Sequence, residues 1–247
     1  MYRNNKYRNV KDKKRRLFRR FRWVLSFLAS FFVGLWMIAS LIVLLLRFVP
    51  PPTTSFMLQT ALRNGLYSYR WRSYEQIAPS AGLAVIASED QRFPVHSGFD
   101  LEEINAAIEE ARSGAGLRGA STLTQQVSKN LFLWSSGGLV RKGIEAWFTF
   151  LIELTWSKQR ILEIYLNIAQ FSDRTFGVEA ASQQFFQVSA ADLTFEESAL
   201  LAAVLPGPEL YSLESPSWEV LNRQSWILSQ MDQLGGETYL QQLYSGL

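Results

Sequence analysis

The amino-acid sequence predicts a mainly α protein, with one membrane-spanning helix near the N-terminus and one helical domain behind it. Three observations lead to this prediction: an uncharged apolar run of 24 residues, several helix-capping signals followed by apolar residues at helical spacing, and a 247-residue chain that is 48% hydrophobic and 14% aromatic. A chain this apolar has enough material for a packed core and is not disordered. Its length allows one or two domains.

The first element is the uncharged run, residues 23–46. About 20 helical residues cross the hydrocarbon core of a bilayer, so this run is long enough with some tilt. A buried core helix rarely stays uncharged over such a length. A signal peptide has a shorter apolar stretch and then a small-residue cleavage site, where this sequence has Arg47 and Pro50. We therefore expect an uncleaved transmembrane anchor.

Charge is distributed unevenly around this run. Residues 1–22 contain eleven Lys or Arg and one acid, a net charge of +10, whereas residues 23–247 carry −7. The positive-inside rule then predicts a cytoplasmic tail, 1–22, and a domain on the other side of the membrane. A basic tail can also bind nucleic acid, but this one has a sufficient role as a topology determinant beside anionic lipid. We expect no nucleic-acid partner.

A short Pro-rich linker, residues 47–52, leads into a domain of residues 53–247, which is long enough for one hydrophobic core. Asp100 and Thr122 predict helix starts, because a Glu or a Gln follows each of them three residues later, as in a capping box. The same signal predicts a helix after Thr194.

Three further segments of the domain carry local signals. Ser217 predicts the start of a helix that Gly235 and Gly236 end, and the run 83–87 fits either a strand or a helix. Residues 114–119 are glycine-rich and predict a loop. Strands are expected to be minor or absent.

Composition excludes several kinds of site. The chain has no cysteine, so disulfides, thiol catalysis and cysteine-bound metals are impossible. His96 is the single histidine, which excludes a zinc site built on two histidines. No G-x-S-x-G motif supports a serine hydrolase.

Three polar clusters interrupt the apolar pattern. Residues 88–96 contain the adjacent acids Glu89 and Asp90, which are either functional carboxylates or a solvated helix end. Residues 119–130 open a helix after a glycine, which gives either an anion site or a well-capped surface helix; a lysine before the Ser-Thr pair, as in a P-loop, is missing. The third cluster, 141–145, is open to two interpretations. It is either a surface ion pair or a charged site beside the apolar residues 147–156. A charged site next to an apolar surface would suit an amphiphilic substrate.

Together these clusters resemble the signature of the peptidoglycan glycosyltransferases, the family of the monofunctional biosynthetic enzymes and of the bifunctional penicillin-binding proteins. The first cluster matches E-D-x-x-F-x-x-H-x-G, the second G-x-S-T-x-T-Q-Q-x-x-K-N and the third R-K-x-x-E. A fourth block, 158–167, resembles K-x-x-I-L-E-x-Y-L-N, and 197–206 fits a fifth. Since no transpeptidase domain follows, the chain is most similar to the monofunctional, Gram-negative type.

The resemblance implies a lysozyme-like, two-lobed domain in the periplasm, anchored in the bacterial inner membrane. It implies polymerisation of lipid II into glycan strands by inverting displacement, with Glu89 as general base and Glu145 as a second, positioning acid. Lys129 and Arg141 would hold the leaving diphosphate. The full set of substrate-binding residues that it implies is Lys129, Arg141, Gln125, Gln126, Ser121, Thr122, Asp90, Phe93, His96, Asn130 and Lys142.

The chemistry of the leaving group agrees with this assignment. A diphosphate needs cations more than it needs a proton, and nearby cations keep a carboxylate ionised, which suits a base better than a lysozyme-type acid. The sequence shows no dedicated metal site, so a Mg²⁺ or other divalent cation on the diphosphate is the one cofactor left open. Expected partners are lipid II, the growing strand and membrane lipid, with room for division or elongation proteins and penicillin-binding proteins.

Two alternatives share the same architecture: a wall-cleaving muramidase or lytic transglycosylase, and a non-catalytic anchored scaffold. Ser172 stands where the family usually has glycine, which would strain the backbone if that position needs a positive φ. Phe185 and Phe186 stand where the family usually has Tyr-Phe, so a hydroxyl is lost. Neither departure removes a proposed catalytic group. We also expect residues 147–156 or 56–58 to dip into the outer leaflet.

Overall fold

The computed structural model describes residues 3–113, 121–236 and 238–239, with side chains from residue 18 onward. The chain divides into two compact units, Met1–Phe48 and Val49–Leu247. The loop predicted over 114–119 lies outside the described residues. So do Gly119 and Ala120 of the second sequence cluster.

The first unit contains one long helix, α1 (Arg3–Leu46). Its part Phe18–Leu46, 29 residues, is long and apolar enough to cross a membrane, by length and composition. This is the apolar N-terminal helix that the sequence predicts.

The second unit is mainly α, as predicted. Its helices are α2 (Ser55–Asn64), α3 (Pro79–Glu89), α4 (Leu101–Arg112), α5 (Leu123–Phe132), α6 (Leu139–Thr155), α7 (Lys158–Ile168), α8 (Val178–Phe185), α9 (Phe195–Val204) and α10 (Trp218–Gln233). Three strands of two or three residues form one small sheet in the order β1-β3-β2: β1 (Ser68–Tyr69), β2 (Gln170–Ser172) and β3 (Thr175–Phe176). The β1 strand is parallel to β3 with Ser68 opposite Thr175, and β2 is antiparallel to it.

The predicted helix starts are confirmed. The side chains of Asp100, Thr122, Thr194 and Ser217 each accept a hydrogen bond from the backbone N–H three residues ahead. At Thr122 and Thr194 the reciprocal hydrogen bond is also present, which completes the capping box. These local signals depend on neighbouring residues alone, which is why the sequence reveals them.

The ambiguous run 83–87 is helical and lies at the centre of the core. It belongs to α3, which begins with proline at its first position and whose residues 80–87 are all buried. Because α3 packs against both α9 and α10, it has no polar face, and so its sequence lacks the alternation that identifies a surface helix. Ser80 bridges α3 and α9 through a 2.8 Å hydrogen bond with Ser198.

A second group of helices packs beside this core. The α5 helix contacts α6, α7 and α2, and α3 also contacts α7. The two groups place the end of α3, the buried face of α5 and one face of α10 around a common cavity.

The Pro-rich segment before the domain packs against it. Pro51 is buried, and its carbonyl accepts a 2.8 Å hydrogen bond from the Tyr69 hydroxyl. Arg160 donates to the carbonyl of Val49. Residues 49–52 of this segment therefore belong to the second unit, and residues 47–48 to the first.

Ser172 is not strained. Among the described residues, Gln187 is the one non-glycine residue with a positive φ, and Ser172 lies in β2, where the pairing with β3 shifts register between Gln170 and Ser172. Its hydroxyl donates a 2.7 Å hydrogen bond to Thr175. The predicted cost of serine at this position is therefore absent.

Candidate active site

Glu89 lies at the last position of α3, beside a cavity of about 720 Å³. The walls come from the end of α3, the start of α5, Pro206 after α9, and Arg223 and Trp226 on α10. Its side chain is 13% exposed, so the carboxylate is accessible from the cavity and shielded elsewhere. The position of Glu89, at the end of the buried helix α3 and beside a cavity, therefore agrees with the functional carboxylate considered from the sequence.

Both carboxylate oxygens of Glu89 have a hydrogen-bond donor. The amide of Gln126 donates to Oε2 at 3.0 Å, and the guanidinium of Arg223 donates to Oε1 at 3.2 Å. Two donors from different helices fix the plane of the carboxylate.

Burial raises the pKa of Glu89 above its ordinary value, and this effect outweighs the opposing effects of Gln126, Arg223 and Lys129. From the sequence we expected nearby cations to keep this carboxylate ionised. Cations do lower its pKa, but Arg223 lowers it more than the predicted cation Lys129 does. A raised pKa makes the carboxylate a stronger base.

Tyr165 fixes the orientation of the Gln126 amide. Its hydroxyl donates a 3.0 Å hydrogen bond to Oε1 of Gln126, which turns the amide nitrogen toward Glu89. Tyr165 is 1% exposed, and burial raises its pKa well above the ordinary value, so it remains a neutral donor. The sequence assigned this tyrosine only to a motif, without a role.

Arg223 is a site residue that the sequence reasoning missed. It lies 134 positions after Glu89, on a helix identified only by its cap and its apolar residues. No local pattern distinguishes it from a surface arginine. Only the packing of α10 against α3 brings it to the carboxylate.

Asp90 and His96 hold the site together. The His96 Nδ1 accepts from the Gly98 N–H, so Nε2 carries the proton and donates to Asp90 at 2.9 Å. Asp90 also accepts a 2.9 Å hydrogen bond from the N–H of Leu123, the first residue of α5. The pair therefore fastens the segment after α3 to the start of α5.

The other residues of the first motif are also buried. Phe93 is fully buried, and the ammonium of Lys158 lies 4.6 Å from its ring centre and donates to the His96 carbonyl. Gly98 has φ +84°, and a Cβ there would lie 2.8 Å from the side chain of Glu153. The fourth motif thus supports the first, and Phe93 and His96 have positions suited to support rather than to direct contact with a substrate.

Two predicted binding residues of the second motif are used in the helix cap. Thr122 donates to the Gly98 carbonyl at 2.7 Å, and the Gln125 side chain accepts from the Thr122 N–H. Ser121 is exposed, and Lys142 lies 3.5 Å from its hydroxyl. Of these three side chains, Ser121 is the one free to meet a substrate.

Glu145 is the centre of a cluster of cations. It lies on α6 with a side chain 3% exposed, and it accepts hydrogen bonds from Arg141 at 2.6 Å and from Lys142 at 2.5 Å. The surface ion pair considered from spacing alone is therefore buried on its acidic side. The Nε of Arg141 is also buried and has no acceptor within the described residues. One carboxylate thus holds two cations in fixed positions.

Lys129 lies within electrostatic range of both carboxylates. Burial lowers its pKa, while Glu145 and Glu89 act in the opposite direction. It lines a second cavity, of about 300 Å³, with Asn130 and Tyr165. Gln126 and Pro206 line both cavities, so the two are adjacent. The structure therefore brings Glu89, Gln126 and Lys129 to two neighbouring cavities.

No group of three or more His, Asp or Glu side chains in the described part of the chain could hold a metal ion. The cations around Glu145 make that carboxylate a poor ligand. A divalent cation would need ligands from the diphosphate itself.

The site thus combines a carboxylate that faces a polar cavity with a second, buried carboxylate that holds two cations. The model of the transglycosylase family matches residues 59–232, and the chain belongs to that family. Curated relatives named biosynthetic peptidoglycan transglycosylase are 48% identical in Pseudomonas fluorescens, over 90% of this chain and 94% of the relative, and 52% identical in Shewanella oneidensis, over 87% and 94%. A third, in Stutzerimonas stutzeri, is 50% identical over 85% of this chain and 90% of its own length.

The chain is therefore a peptidoglycan glycosyltransferase of cell-wall synthesis. The resemblance identified from the ordered motifs is confirmed. The two alternatives considered from the sequence, a wall-cleaving enzyme and a non-catalytic scaffold, lose support because the relatives are biosynthetic enzymes.

Proposed function

We propose that the enzyme polymerises lipid II into β-1,4-linked glycan strands and releases undecaprenyl diphosphate. The observation that carries this proposal is the arrangement of two carboxylates with different partners. Glu89 lies beside an open cavity and pairs with one arginine, whereas Glu145 is buried and pairs with two cations. The carboxylate of Glu89 suits proton abstraction, and the two cations held by Glu145 suit the binding of an anionic leaving group.

In this proposal Glu89 is the general base. Its carboxylate takes the proton of the acceptor GlcNAc 4-hydroxyl while that oxygen attacks C1 of the donor MurNAc. The bond between C1 and the phosphate oxygen breaks, and the electron pair leaves with undecaprenyl diphosphate. One displacement converts an α donor into a β linkage. The raised pKa of Glu89 increases its strength as a base, and the hydrogen bonds from Gln126 and Arg223 oppose this rise because they favour the ionised form.

The leaving diphosphate is assigned to Lys129 and Arg141, with Lys142 beside them. Burial weakens the hydration of Lys129, so an arriving phosphate gains a strong partner there. Glu145 then acts by fixing Arg141 and Lys142 rather than by touching the substrate. Asn130 and Ser121 would line the cleft, and Thr122, Gln125, Asp90, Phe93 and His96 would support it.

The test is incubation of the purified full-length protein with labelled lipid II in detergent, without nucleotide. High-mass glycan that lysozyme digests is the expected product. Release of soluble muropeptides from purified sacculi, without polymer, would instead favour the wall-cleaving alternative. Inactivity in both assays would favour the scaffold.

Arg223→Gln is expected to move the acidic limb of the pH–rate profile to higher pH. Arg223 lowers the pKa of Glu89, so its removal raises that pKa further. A general base works only when ionised, and more of it is then protonated at a given acidic pH. The profile of kcat against pH measures this effect. Arg223→Lys, which keeps the charge, should move the limb less; an unchanged limb in both variants would contradict the role of Arg223.

We propose that the anchor places the domain in the periplasm, with the tail 1–22 in the cytoplasm, and that an exposed apolar face of α6 contacts the membrane. On α6, Ile152 is fully buried on one side, whereas Phe150 is 58% and Leu154 69% exposed on the other. The second segment predicted to contact lipid is residues 56–58. Met57 is buried in the domain and so cannot contact lipid, whereas Leu58 is half exposed. An exposed apolar face suits contact with lipid.

The absence of cysteine makes this contact measurable in the full-length chain. A fluorophore on Leu154→Cys, in nanodiscs that contain spin-labelled lipid, should be quenched strongly. The same fluorophore on Glu196→Cys, an exposed polar position, should be quenched weakly. Equal quenching at the two positions would show that α6 does not contact the bilayer.

A further inference from the structure

The face of α10 that lines the Glu89 cavity carries an aromatic side chain that the proposed chemistry does not use. Arg223, Trp226 and Gln230 follow one another at helical spacing and all line this cavity. Among the described lining residues, Trp226 is the one aromatic side chain, and it is 46% exposed. Its indole therefore presents a flat apolar surface among side chains that are mostly polar.

Arg223 links this indole to the base. Its guanidinium carbon lies 6.0 Å from the centre of the Trp226 ring, and its Nη2 lies 3.2 Å from Glu89 Oε1. Trp226 and Glu89 are therefore separated by a single guanidinium group. Both residues line the same cavity, so a sugar ring stacked on the indole would lie near the carboxylate.

The rest of the cavity offers hydrogen bonds. The Gln91 amide donates to Gln230 at 2.9 Å, and both of these side chains line the cavity. Ser88 and Ser121 add hydroxyl groups. A flat aromatic ring surrounded by hydrogen-bonding groups suits a pyranose, because a pyranose ring has an apolar face of C–H groups and hydroxyl groups at its edge.

We propose that α10 forms the saccharide subsite of the acceptor, in which the sugar ring that carries the reacting hydroxyl stacks on Trp226 beside Glu89. The acceptor is assigned here because its proton goes to Glu89, whereas the cations that suit the donor diphosphate surround Glu145. The inference rests on the proposed polymerisation of lipid II.

The test compares Trp226→Ala, Trp226→Phe and Trp218→Ala in the full-length enzyme. Trp218 is a matched control, because it lies on the same helix, is 77% exposed and is absent from the cavity lining. Loss of stacking should raise the KM for lipid II about five- to tenfold in Trp226→Ala and leave kcat within about twofold. Trp226→Phe should restore most of the affinity, and Trp218→Ala should match the wild type.

Thermal unfolding of each variant establishes that the fold is retained. An unchanged KM in a folded Trp226→Ala, with an active wild type, would overturn the subsite. A loss in kcat alone would also overturn it, because a stacking platform acts on binding. Failure of the wild type itself to polymerise lipid II would instead contradict the proposed function.

Discussion

Glu89→Gln is expected to abolish polymerisation, with kcat lowered by about 10²–10⁴-fold, since a neutral amide cannot accept the proton of the acceptor hydroxyl. The substitution keeps the shape of the side chain and a hydrogen-bond acceptor for Arg223. It also removes a carboxylate whose burial is unfavourable, so the fold should remain intact. Initial rates of lipid II polymerisation, together with the midpoint of thermal unfolding, measure both effects.

Glu102→Gln is the control for this chemical change. Glu102 pairs with Arg92 and its side chain is 73% exposed, so the same substitution there should leave the rate nearly unchanged. A well-folded Glu89→Gln protein that polymerises at the wild-type rate would exclude Glu89 as the base.

Glu145→Gln should lower kcat by about 10²–10³-fold, although Glu145 is too buried to contact the substrate. Without the carboxylate, Arg141 and Lys142 lose the partner that fixes them, and each cation can turn away from the position of the diphosphate. The variant should also unfold several degrees lower, because removal of one member of a buried pair leaves charge uncompensated and costs up to about 3 kcal/mol. Single-turnover rates at saturating lipid II separate the loss in kcat from any loss in binding.

Glu179→Gln separates stability from catalysis. Glu179 is a fully buried carboxylate that pairs with Arg72 at 2.8 Å and does not line either cavity of the cleft. We expect a comparable loss of stability with normal activity of the folded enzyme. If Glu179→Gln and Glu145→Gln lose activity in proportion to their loss of stability, Glu145 has a structural role only.

Much of the fold follows from signals that lie within a few residues. Thr122 and Thr194 define helix starts through bonds to residues three positions away, and the apolar run at 23–46 needs only composition. The helical state of 83–87 could not be decided in this way, because α3 is covered on all sides and its sequence has no polar face.

In the candidate site, too, some features follow from local sequence and others depend on packing. The motifs in order along the chain were enough to identify the family, and the resemblance pointed to Glu89 and Glu145 as candidate functional carboxylates. The sequence predicted the helix cap that Thr122 and Gln125 form, but it could not show that Thr122 also donates to the Gly98 carbonyl, or that Asp90 and His96 fasten two segments together. Those roles depend on which atoms meet after packing.

Only the tertiary structure brought α10 to the site. Arg223 reaches Glu89 from 134 residues away, and Trp226 reaches the same cavity one helical turn later. The spacing of apolar residues indicates which face of a helix is buried, because that face contacts the core. It does not indicate which other helix the polar residues contact. Those contacts depend on the angles at which α3, α9 and α10 cross, and the packing of side chains distant in sequence sets these angles.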